Sequence, residues 1–256
     1  MSAPAPPPVF VINLARDTAR RTHMAGLLAR VGLSAEFVAA VDGRSLSKTD
    51  RARYDPVRAL RVYGKPMLDA EIACYLSHDL LWQRLLDQTL TAALILEDDI
   101  DIDPSLPGLI ADLLVCPDWL VVRLHSMRGR VLDPHHPAFL GRRVAGLRDG
   151  AGLFRLRTHT LGAAAYLIRA EGARRLRTYG QRIVLPVDQT MDRFWENGIA
   201  PYVVRPFPVR QRAEFASSIG ARTPDRLGAR PLDLVLCQRL QRAGDGVRKR
   251  LYLLTS

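Results

Sequence analysis

The chain has 256 residues, 48% apolar and 25% charged, proportions that exclude wholesale disorder and a coiled coil. No uncharged apolar run approaches the ~18–20 residues that span a bilayer. The Met1–Pro8 lead lacks the basic-then-apolar pattern of a secretory signal, and Cys74, Cys116 and Cys237 are too scattered for a disulfide framework or a zinc site. A cytoplasmic protein is expected. The net charge is +11, and all but three of the 37 basic side chains (Lys48, Lys65 and Lys249) are arginine. Such a charge draws an anionic partner: nucleic acid, a membrane surface or a phosphorylated small molecule.

Residues 1–8 read as an unstructured Pro-rich lead. Val9–Leu14 is a continuous apolar run, as expected of a strand buried on both faces. Asp17 is placed to cap a helix with Met24, Leu27, Leu28 and Val31 at helical spacing, ended by Gly32. Ala35–Val41 is a second strand, closed by Asp42-Gly43. Strand, helix, strand within about 35 residues is the βαβ pattern of a parallel sheet. Arg44–Pro66 reads as a connection with one short helix. Glu71–Gln88 is a helix buried on more than one side, since Ile72, Leu76 and Leu80 form one row while Trp82 and Leu85 lie off it.

Ala92–Leu96 is the strongest buried strand, and Trp119–Leu124 is another. His125–Gly150, rich in Arg, Gly, His and Pro, reads as a long loop. Ala163–Ile168 is a strand and Ala170–Tyr179 a helix ending at Gly180. Asp188 is placed to cap a single helix that carries Met191, Phe194 and Trp195 and stops at Gly198. Tyr202–Val204 is a short strand. Residues 9–230 are expected to form one α/β domain with a mostly parallel sheet, and 231–256 a C-terminal helix with a basic, apolar tail.

Chemistry enters at Leu94-Ile95-Leu96-Glu97-Asp98-Asp99-Ile100-Asp101-Ile102-Asp103. Ligand sites in open α/β sheets form at the carboxyl ends of strands. Two carboxylates about 5 Å apart repel by roughly 3 kcal/mol at an effective dielectric of 20, so their clustering calls for a cation. Oxygen ligands favour Mg²⁺ or Mn²⁺, which can hold a diphosphate and offset its charge as it leaves. Asp101 and Asp103 read instead as solvent-facing or capping residues. An EF-hand is excluded because, counting from Asp99, Pro104 and Ile110 occupy the glycine and final glutamate positions. No GxxxxGK[ST] loop is present.

With these residues in view, the chain resembles glycosyltransferase family 25, bacterial lipopolysaccharide and lipooligosaccharide glycosyltransferases whose relatives include collagen galactosyltransferases. The matching segments are Val11–Leu14 with Arg20-Arg21, Ala40–Gly43, Glu71–His78 and Ile95–Asp99. Ala165–Ile168 with Gly172-Ala173, Pro186–Asp188, Gln211 and Ser217–Ile219 follow in family order. The resemblance implies a GT-A fold, a UDP-sugar donor (galactose or glucose), Mn²⁺ or Mg²⁺ dependence, and inverting transfer to a sugar hydroxyl of a lipid-linked oligosaccharide. It places Glu97-Asp98-Asp99 at the DxD-type motif, with Glu97 and Asp99 on the metal and Asp98 beside the donor.

Inverting transfer needs a base for the acceptor hydroxyl, and the resemblance puts Asp188 opposite the metal motif; the same residue reads equally as a helix N-cap. Asn13, Leu14 and Arg21 stand where the first strand and helix meet a nucleotide, although Arg21 also suits a solvated helix surface. Val41 and Asp42 could touch the base or ribose, or belong to an ordinary Asp-Gly turn. Ser77 and His78 are either donor contacts or satisfied core residues. Arg210 and Gln211 could meet the diphosphate or lie on the surface. The tail Arg248–Leu254 suits either an anionic inner-membrane surface or packing on the domain. Two other functions fit the composition. One is a metal-dependent phosphohydrolase using the same carboxylates. The other is a basic nucleic-acid-binding protein, for which no recognition motif is present.

Overall fold

The structure, a computed structural model, describes residues 5–212 and 232–255. The Ser217–Ile219 segment and the expected boundary at residue 230 lie outside the described residues.

The chain opens with strand β1 (Val9–Asn13), helix α1 (Thr18–Arg30) and strand β2 (Glu36–Ala39). Asp17 takes the N-cap position, but its side chain makes no capping bond. Gly32 follows with φ +70°, the left-handed backbone that ends helices cheaply only at glycine. The stretch expected to hold one helix holds two, α2 (Lys48–Ala52) and α3 (Pro56–Val62), started by a Ser47/Asp50 capping box and by the Asp55 side chain. Helix α4 (Asp69–Asp87) is buried around most of its circumference, though Leu80 is exposed and ends the expected apolar row.

Strands β3 (Ala92–Glu97) and β4 (Ile100–Ile102), helix α5 (Leu106–Val115) and strand β5 (Val121–Arg123) come next. The expected loop at 125–150 contains strand β6 (Gly141–Gly146), which forms an antiparallel hairpin with β7 (Gly152–Leu156). Strand β8 (Ala165–Arg169) and helix α6 (Ala170–Tyr179) follow. The single helix expected after Asp188 is two, α7 (Val187–Met191) and α8 (Phe194–Asn197). The break falls at Asp192, whose buried carboxylate accepts from Thr160 N, Thr160 Oγ and Leu161 N. Strands β9 (Tyr202–Arg205) and β10 (Val209–Gln211) and helix α9 (Leu232–Thr255) complete the described chain.

Eight strands form one sheet in the order β2-β1-β3-β8-β5-β9-β7-β6. Six run in one direction, and β8 and β7 oppose them. The sheet is thus mixed and mostly parallel, flanked by helices. Strand β3 shows why: Leu94 and Leu96 bury on the face covered by α1 and α5, while Ala93 and Ile95 bury on the face covered by α4 and α6. A side chain of this kind, fully buried, contributes about 2 kcal/mol, and a strand buried on both faces has no alternating pattern. Gly172 lets α6 approach, because a Cβ there would sit 2.6 Å from Leu120 O. Ile12 of β1 pairs with Glu97 of β3, so these two strands present their carboxyl ends side by side.

Candidate functional site

Those strand ends, the 40–44 loop and the N-terminal half of α4 enclose a cleft of about 470 Å³. Leu14, Val41, Asp42, Ser77, His78, Glu97, Asp98, Asp99 and Gln211 all line it. Local chemistry fixes each wall. Ser77 Oγ donates to Ala73 O (2.8 Å) and accepts from Val41 N (2.9 Å), which clasps the loop to α4. Asp42 accepts from Arg44 N at 3.0 Å and from Arg16. The Arg44 N–H, with the Arg16 charge, holds its carboxyl below the usual range. Gly43 follows; a Cβ there would lie 2.9 Å from Ala70 Cα, so only glycine lets this loop reach the start of α4.

The acidic turn divides its labour. Asp98 is spent inside the protein: Asn13 Nδ2 donates to one oxygen (2.7 Å) and Arg20 Nη1 to the other (2.9 Å). Asn13 thereby anchors the turn and is itself buried. Glu97 is half-buried on the cleft wall. Asp99 is 7% exposed; its Oδ2 accepts from Gln211 Nε2 at 3.0 Å, while Oδ1 is buried with no partner among the described residues. Burial, and then the Glu97 charge, push its carboxyl up to about 6. A buried carboxylate oxygen without a donor costs roughly 1–3 kcal/mol, and a cation removes that cost.

Cys74, His78 and Glu97 also bring one ligand atom each within 4.8 Å of one another. Burial, followed by the charges of Glu97, Asp188 and Asp99, drives the Cys74 thiol well above its ordinary range, and metals bind the thiolate. Glu97 and Asp99 offer hard carboxylate oxygens on the cleft wall, a ligand type that suits Mg²⁺ or Mn²⁺.

Four expected residues are not part of the cleft lining: the buried Asn13, and Arg21, Arg210 and Asp188. Arg21 is exposed and lies over the Phe37 ring at 4.5 Å, outside the cleft. Arg16, in the turn before α1, Arg20, on the first turn of α1, and Arg44, of the 40–44 loop, are the arginines that line the cleft. Arg210 is exposed and pairs in register with Asp101, beside Asp103, while Gln211, next along the strand and also exposed, lines the cleft and reaches Asp99. Asp188 is not among the lining residues. Pro186 takes the N-cap position, and Asp188, in the first turn of α7, accepts from Gly162 N (3.0 Å) and Gln189 N (2.8 Å). Burial raises its carboxyl above the ordinary range, and its charge is felt at Cys74.

Residues 6–191, which carry the strand ends, the acidic turn and α4, match the model of glycosyltransferase family 25, described as an LPS biosynthesis protein. The chain belongs to glycosyltransferase family 25. A family 25 member of Anopheles gambiae is 30% identical over 74% of this chain and 32% of its own length. Human procollagen galactosyltransferase 2 is 27% identical over 82% of this chain and 32% of its own. The chain thus spans about a third of the length of these relatives. A solved glycosyltransferase involved in glycosylating the major capsid of PBCV-1 aligns over 72% of each chain at 10% identity and a TM-score of 0.35, too distant to bear on the site. The family 25 segment ends before β10, so Gln211 reaches the acidic turn from outside it.

Proposed function

We propose that this family 25 chain is a metal-dependent inverting glycosyltransferase of GT-A type that moves a hexose, galactose or glucose, from a UDP-sugar to a sugar hydroxyl of a lipopolysaccharide-type glycan. The unpartnered oxygen of Asp99, buried at the edge of a cleft able to hold a small ligand, supports this reading above all. Glu97 and Asp99 would hold Mn²⁺ or Mg²⁺, which offsets the charge of a leaving nucleoside diphosphate. Leu14, Val41 and Asp42 shape the wall for the nucleoside, with Arg16 beside Asp42. Arg20 and Asn13 neutralise and anchor Asp98, which keeps the turn rigid. Asp188 takes the acceptor's hydroxyl proton as the new C–O bond forms on one face of the sugar and the bond to UDP breaks on the other.

A UDP-sugar with Mn²⁺ is expected to raise the melting temperature by about 5–10 °C at a hundredfold excess over Kd, with either component alone giving less. Phosphate release from simple phosphomonoesters, with no response to a sugar donor, would select the phosphohydrolase. Salt-sensitive DNA or RNA binding without that response would select the nucleic-acid-binding protein.

A lipid-linked acceptor implies work at the cytoplasmic face of a membrane, and α9 supports this. Gln238 and Asp245 tie one side of it to Leu60 O and Arg193. Leu240, Val247, Leu251 and Leu254 stand exposed at helical spacing, with Arg239 and Arg250 exposed alongside. An exposed apolar stripe flanked by cations suits an anionic bilayer. Co-sedimentation with anionic vesicles, reduced by Leu251→Glu/Leu254→Glu and by salt, is the expected result. Equal binding to neutral vesicles, or none, would refute it.

No helix among the described residues is long and apolar enough to cross a membrane.

A further inference from the structure

Beneath the cleft, one polar chain crosses the apolar layer between α4 and the sheet. Trp82, Tyr166 and His78 are all 0% exposed, yet their polar atoms are in contact. Trp82 Nε1 donates to Tyr166 Oη at 2.9 Å, Tyr166 Oη lies 2.9 Å from His78 Nδ1, and His78 Nε2 lies 3.4 Å from Glu97 Oε1. The fold produces this alignment. His78 and Trp82 are one turn apart on α4. Tyr166 pairs with Ile95 across β3 and β8, and Glu97, two residues on, shares that sheet face. The His78 and Tyr166 rings stack with centroids 5.7 Å apart.

Counting protons fixes the direction of each bond. An indole N–H only donates, so Tyr166 Oη is the acceptor there. Burial drives the Tyr166 phenol far above its ordinary range, so it keeps its one proton, and His78 Nδ1 is the remaining partner within reach. With Nδ1 accepting, the ring proton resides on Nε2, facing the Glu97 carboxylate. The reverse tautomer would strand the phenol proton and set two acceptors against each other.

We propose that Trp82 and Tyr166 are positioning residues that lock His78 as the Nε2–H tautomer, so that His78 acts on the donor site through Glu97, holding its carboxylate in one orientation at the cleft. The effect on metal binding rests on Glu97 being a ligand; the tautomer does not.

The test uses the full chain with ¹⁵N-labelled histidine at one neutral pH, and Mn²⁺ binding in the presence of UDP. Wild type should show His78 as Nε2–H. Tyr166→Phe should mix the tautomers and weaken Mn²⁺ about tenfold, the scale of lost support behind a metal ligand. His78→Gln, whose amide nitrogen reaches the Nε2 position, should keep most of the affinity, whereas His78→Leu should lose it as Tyr166→Phe does. A merely structural role would lower the melting temperature of both His78 variants without separating their Mn²⁺ affinities. That pair also decides the matter should Tyr166→Phe fail to fold. An Nδ1–H tautomer in wild type overturns the proposal. So does unchanged Mn²⁺ affinity in His78→Leu where Glu97→Gln abolishes binding. If Glu97→Gln leaves Mn²⁺ binding intact, the metal assignment of Glu97 falls, and the imidazole spectrum still decides the tautomer.

Discussion

Asp99→Asn is expected to abolish the joint stabilisation by UDP-sugar and Mn²⁺ and to lower kcat by at least ~10²–10³-fold, while leaving the ligand-free protein no less stable than wild type at pH 7. Burial and the neighbouring Glu97 charge raise the folded-state carboxyl to about 6 from an ordinary 3.8. Between about pH 4 and 6 the folded state therefore holds a proton that the unfolded chain has released. Ligand-free wild type loses stability as pH rises through that window, by at most about 3 kcal/mol. Asparagine carries no charge to penalise. It keeps an oxygen for Gln211 Nε2, and its buried NH₂ without a partner costs about 1–3 kcal/mol in return. Melting curves from pH 4 to 8, with and without Mn²⁺, check both halves. A variant that still responds to Mn²⁺ and UDP-sugar together would remove Asp99 from the metal site.

The second large effect falls at Asp188. Asp188→Asn should reduce kcat by about 10²–10⁴-fold with the donor KM little changed, the pattern of a lost general base. Burial raises the Asp188 carboxyl, which makes it a better proton acceptor, and wild-type kcat should fall as pH drops through that raised value. The substitution also turns an NH₂ toward Gly162 N or Gln189 N, at about 1–3 kcal/mol. A control separates the two effects. Asp192 accepts from Thr160 and Leu161, in the same turn that Asp188 supports through Gly162. If Asp192→Asn loses kcat as severely as Asp188→Asn, then Asp188 only supports the turn.

Strand β3 and its acidic end were legible because burial on both faces erases alternation and leaves an unbroken apolar run. Position around a helix was harder to read. Arg20 and Arg21 are equivalent in composition, and only the direction of α1 against the sheet decides which one meets Asp98. The β6–β7 hairpin escaped because Gly141–Gly146 is an arginine-bearing edge strand with mostly exposed or half-exposed side chains, the composition that protects sheet edges and also resembles a loop. The split between α7 and α8 was hidden because it depends on Asp192 binding a turn some thirty residues earlier. Ser77 and Asp98, expected as donor contacts, line the cleft, but their hydrogen bonds run to Val41, Asn13 and Arg20. Such partners become visible only once distant segments are assembled.

Strand β9 lies between β5 and β7 in the large sheet, with Val203 and Val204 completely shielded. A fragment trimmed at residue 191, where the family match stops, would lack that central slat. Two raw strand edges would then be open to other molecules, a known route to aggregation. Recombinant fragments for studying this protein should therefore extend past Arg212, even though the shared sequence suggests an earlier stopping point.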